Sequence, residues 1–122
     1  MKPIHSREFY MKNWERFIKR VPGDNYINMG EELERSMKPY IEAGLPSTAL
    51  EVIERIEAKR IMEKADKLVR SQMATVIAVE AGKASFGYTT QLQEVQARAE
   101  YRKRFDFNCL QLALFREKYG TA

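Results

Sequence analysis

At 122 residues the chain has the length of one domain and falls short of the usual two-domain range. With 31% charged and 44% hydrophobic residues it is neither compositionally disordered nor membrane-like. Lys and Arg outnumber Asp and Glu by 21 to 17, a net charge of +4 that permits a nucleic-acid partner without demanding one.

The chain opens on MKPIHSREFYMKNWERF, which is charged throughout and lacks the apolar stretch of a secretory signal, so a cytoplasmic location is expected. The uncharged runs 71–79 and 107–115 are far shorter than the ~20 residues of a membrane span, so no membrane partner is expected. Cys109 is the single cysteine, which excludes an internal disulfide and fits a reducing compartment.

Proline and glycine divide the chain into segments that all read as helix. No run alternates apolar and polar residues as a strand would. The first predicted helix covers 6–21, from Ser6 as N-cap to the stop at Pro22-Gly23. Its apolar stripe is Tyr10, Trp14, Phe17, Ile18 and Val21. The opposite side carries Lys12, Arg16, Lys19 and Arg20, a candidate nucleic-acid surface whose plainer reading is a solvated basic face.

The second predicted helix covers 29–43. It opens on NMGE, Asn28 to Glu31, with capping-box spacing, and carries the stripe Leu33, Met37, Tyr40 and Ile41. Pro39 is expected to kink or interrupt it near Arg35, because proline lacks the amide that bonds one turn back.

The third predicted helix covers 47–81, starting after Pro46 with TALE, Thr48 to Glu51, as a capping box. Ala58, Ile61, Met62, Ala65, Leu68, Val69, Gln72, Met73, Val76 and Val79 form one stripe. Ala49, Val52, Ile53 and Ile56 lie about half a turn away at ~100° per residue, so the helix is expected to pack in two directions or to break near Glu57. Glu51 with Arg55, Glu63 with Lys67 and Asp66 with Arg70 are spaced to pair.

The segment from Gly82 to Tyr88 then joins two long antiparallel helices. Its lysine and aromatics, Lys83, Phe86 and Tyr88, are candidate tip contacts, although a plain connection accounts for them. The stretch GKAS, Gly82 to Ser85, lacks the glycine spacing and preceding strand of a phosphate-binding loop.

The fourth predicted helix covers 90–119, with Thr90 and Gln93 at capping-box spacing. One side carries Leu92, Val95, Ala99, Cys109, Leu110 and Ala113, interrupted by Arg102 and Asp106, which are spaced to pair. The other carries Ala97, Tyr101, Phe105, Leu112, Phe115 and Tyr119. A helix apolar on two sides is either central in its domain or covered by another chain. Tyr101, Phe105, Leu112, Phe115 and Tyr119 are therefore a candidate self-association or partner face, with cover by the two N-terminal helices as the alternative. Arg98, Arg102, Lys103 and Arg104 add candidate nucleic-acid contacts.

Catalytic chemistry finds little footing. His5 is the single histidine and has no cysteine beside it, so no nucleophilic dyad or histidine-rich metal site is available within one chain. Cys109 reads as a small core residue, and no cofactor or metal is expected.

The expected fold is all-α, a single domain in which two shorter N-terminal helices pack on a long antiparallel helical hairpin as a bundle. The expected function is that of a non-enzymatic interaction or assembly protein, an adaptor, oligomeric subunit or protein inhibitor, with a protein partner or its own copies. The alternative is a basic nucleic-acid-binding accessory protein. Virus structural proteins and virus-encoded inhibitors are of this size and kind, which would place the chain in a virion or host cytoplasm.

Overall fold

The computed structural model describes residues 27–120, which form three α-helices with no strand among them. They are α1 (Met29–Glu42), α2 (Ser47–Glu80) and α3 (Gln91–Tyr119). The all-α reading holds for these residues; the predicted helix at 6–21 lies outside them. Among the described residues no helix is long and apolar enough to cross a membrane.

Local chemistry accounts for most of the boundaries. Asn28 caps α1, its Oδ1 accepting from the Glu31 amide at 3.0 Å. The reciprocal half of the expected box is not made, because the Glu31 carboxylate turns to Arg35 at 3.5 Å. Pro39 does not interrupt α1, which continues as one helix to Glu42.

The start of α2 corrects the expected capping box at Thr48. The N-cap is Pro46, in extended conformation and with no side-chain cap hydrogen bond, and the Leu50 amide already donates to the Pro46 carbonyl at 3.0 Å. Thr48 is thus inside the first turn, where its hydroxyl cannot act as a cap. The helix then runs without a break for 34 residues, ~50 Å at ~1.5 Å per residue.

At its end the Lys83 amide bonds the Ala78 carbonyl at 2.9 Å and the Gly82 amide bonds that of Val79 at 3.1 Å. This paired closure requires a left-handed residue, and Gly82 supplies it at φ 72°. Thr90 caps α3, accepting from the Gln93 amide at 3.2 Å, while Gln93 Oε1 meets the Thr89 hydroxyl at 3.4 Å instead of closing a capping box.

Packing follows the apolar stripes. α2 contacts both α1 and α3. It runs antiparallel to α3: Glu80 meets Arg102 near the hairpin tip, and Asp66 meets Arg116 further along. The core takes Leu33 and Met37 from α1, Ala58 to Val76 of the long stripe from α2, and Phe105 and Leu112 from α3. Met73 departs from its stripe and is exposed.

The second packing direction expected of α2 is not filled along its length. Ile53 packs partly against the core, but Val52 and Ile56 are 59% and 61% exposed. Of the three helix-surface ion pairs expected on α2, only Asp66 with Arg70 closes, at 2.9 Å.

Candidate functional site

The aromatic side of α3 faces inward. Phe105 and Leu112 are each 3% exposed and belong to the core, while Tyr101, Phe115 and Tyr119 pack partly buried against it. Burying a Phe or Leu side chain contributes ~1.5–3 kcal/mol, so this face works as packing. The four consecutive residues Phe105, Asp106, Phe107 and Asn108 are all buried. Since four helical positions sweep ~300°, α3 is enclosed here on every side.

Enclosure of a polar stretch demands internal partners. Asn108 Oδ1 accepts from the Ile27 amide at 3.1 Å, and its Nδ2 donates to Gln72 Oε1 at 2.9 Å. Gln111 Oε1 accepts from the Met29 amide at 2.8 Å, and its Nε2 donates to the Ile27 carbonyl. Two side-chain amides of α3 thus hold the lead into α1 against α3.

The basic residues of α3 are mostly engaged with acids. Arg102 is 9% exposed; its Nε donates to Asp106 at 2.9 Å and its Nη1 to Glu80. Burial opposes its charge, but Asp106 and then Glu80 outweigh this and hold its pKa above the ordinary value. Arg98 pairs with Glu94 at 3.5 Å and Lys103 lies 3.8 Å from Glu100. Arg104 is half-buried, with its Nε buried and without a hydrogen-bond partner. Lys12, Arg16, Lys19 and Arg20 lie outside the described residues.

At the tip, Glu94 organises the connection. Its carboxylate accepts from the Phe86 amide at 2.8 Å and the Tyr88 amide at 3.4 Å. The Phe86 amide is the main reason its pKa is lowered; burial opposes the shift, and Tyr88 and Arg98 reinforce it. Phe86 lies against Tyr101 with ring centroids 5.3 Å apart and walls a small depression of about 170 Å³. Tyr88 and Lys83 are exposed.

A larger feature open to a partner lies at the opposite end. A groove of about 510 Å³ runs between α1, the start of α2 and the end of α3. Its floor includes Leu33, Met37, Leu50 and Phe115, and Ile41, 59% exposed, stands at its lip. Sequence periodicity placed Leu33, Met37 and Ile41 on one stripe of α1. The stripe is longer than the core beneath it, so its C-terminal end runs out over the groove.

Comparison with protein-family models, curated proteins and solved structures finds no match to this chain.

Charged groups ring the groove: Glu34 from α1, Glu51 and Glu54 from α2, and Lys118 from α3. Lys118 Nζ sits 5.3 Å from the centre of the Tyr119 ring. Burial raises the Tyr119 pKa; Lys118 opposes the rise and Glu54 adds to it.

Cys109 has none of the environment of a reactive thiol. Burial, aided by the charge of Asp106, pushes its pKa up to about 11. Among the described residues no three His, Cys, Asp or Glu side chains are grouped so as to hold a metal ion.

Proposed function

We propose that this chain is a non-enzymatic interaction protein, one helical domain in a bundle arrangement, that engages a protein partner through the groove between α1, α2 and α3. The supporting observation is the groove itself: an apolar floor left open beside a lip residue as large as Ile41. The aromatic residues of α3 serve this reading indirectly, since Phe115 and Tyr119 line the groove while Phe105 and Leu112 anchor the helix that carries them.

Nucleic-acid binding is the second reading. The pairing of Arg98, Arg102 and Lys103 with acids weakens it, because a paired cation has less to offer a phosphate.

The test is site-specific photo-crosslinking in cells. A benzophenone side chain replacing Ile41 is expected to yield a discrete protein adduct, whereas one replacing the exposed Lys59 on α2 yields none. Equal adducts at both positions, or none at Ile41 in a folded protein, would contradict the proposal.

A further inference from the structure

Resting on the groove reading above, the charge around the groove specifies its occupant. Glu31, Glu32, Glu57, Asp66 and Glu94 each hold a basic partner within 4 Å. Glu34, Glu51 and Glu54 form no such ion pair with any described residue, although Arg55 stands one turn from Glu51. Among the described acids without such a pair, Glu34, Glu51 and Glu54 all line the apolar groove, where Lys118 is the one cation of the lining, while Glu63 lies elsewhere on α2.

We infer that the groove takes a short amphipathic helix of another protein, with aliphatic or aromatic anchors flanked by lysine or arginine. The anchors would replace water over Ile41, Leu50 and Phe115, in the manner of a helix laid between helices. The flanking cations would meet Glu34 on one wall and Glu51 and Glu54 on the other. A second copy of this chain fits poorly. A symmetric dimer meeting groove to groove would bring two acidic rims together, and like charges across an interface are repulsive.

The experiment is selection of a displayed library of random peptides of roughly 16 residues, about four helical turns, against the full chain. The groove lip is probed with Ile41→Gln and the charge with the double variant Glu34→Lys, Glu51→Lys, both on exposed helix surface. Expected are enriched peptides with apolar residues three and four apart and an excess of Lys and Arg. Their affinity should fall roughly tenfold with Ile41→Gln and roughly ten- to thirtyfold with the double variant, the latter loss shrinking in high salt.

Enriched peptides that depend on Ile41 but carry no basic excess would overturn the charge inference and leave the groove reading standing. Enrichment indifferent to Ile41, or no enrichment at all, would overturn both. A dimer seen by light scattering and dispersed by Ile41→Gln would overturn the foreign occupant in favour of a second copy.

Discussion

Asn108 donates from Nδ2 to Gln72 Oε1 across 2.9 Å, tying α3 to α2 between two side chains that solvent hardly reaches. The same amide accepts from the Ile27 backbone at 3.1 Å, so one residue joins the lead into α1 to both helices of the hairpin. Asn108→Ala removes the partner of a buried amide and of a buried carbonyl together. It is expected to cost about 2–4 kcal/mol in urea unfolding. A loss under about 0.5 kcal/mol would show that the amide does not tie these elements together.

The Arg102–Asp106 pair gives a second test. Asp106 is 3% exposed and its guanidinium partner lies 2.9 Å away, next to Glu80. Removing one partner of a buried pair is more damaging than replacing both by apolar groups. Arg102→Met alone should destabilise by about 3 kcal/mol, and adding Asp106→Leu should restore much of the loss. If single and double variants unfold at the same denaturant concentration, the pair does not behave as a coupled buried unit.

These two clusters also show where the sequence could be read. The capping at Asn28 and Thr90, the glycine closure at Gly82 and the long α2 stripe depend on neighbours within a turn or two, so spacing alone located them. The pairing of Arg102 with Asp106 was visible for the same reason, one turn apart. Its burial was not, because that depends on what surrounds α3. Asn108 and Gln111 bond backbone more than 80 positions away, and no local pattern signals such a partner. The aromatic side of α3 was recognisable as apolar, but periodicity does not say whether a stripe is covered by the same chain. The groove was legible only as the far end of the Leu33–Met37–Ile41 stripe; its other two walls come from the remaining helices.

Glu94 is expected to make the hairpin tip sensitive to acid. Its folded pKa lies below the ordinary 4.5, so the carboxylate's contribution is present above that pH and is lost as the pH falls through the lowered value. Hydrogen exchange at the Phe86 and Tyr88 amides should therefore quicken, relative to intrinsic rates, below about pH 4.5. Glu94→Gln should quicken it at neutral pH as well. Unchanged protection in the variant would remove Glu94 as the organiser of the tip.

Cys109 titrates in the opposite sense. Its thiol is held at about 11 against an ordinary 9.0, so the folded state favours the protonated form. That contribution is complete below about pH 9 and is lost as the pH rises toward about 11. Stability should fall across this window in the native protein and less in Cys109→Ala. At pH 8, alkylation of the folded protein should be roughly a hundredfold slower than in urea. Equal rates in both would mean that the thiol is neither buried nor shifted.

Docking of the partner in the groove is tested by a backbone amide chemical-shift map. The isotope-labelled full chain is titrated with a basic-flanked apolar helical peptide from the selection. Docking there should concentrate the shifts at Gly30, Glu34, Ile41, Leu50 and Tyr119, with the tip unmoved. Shifts gathered instead at Tyr88, Leu92 and Val95, around the exposed apolar residues of the hairpin end, would contradict it.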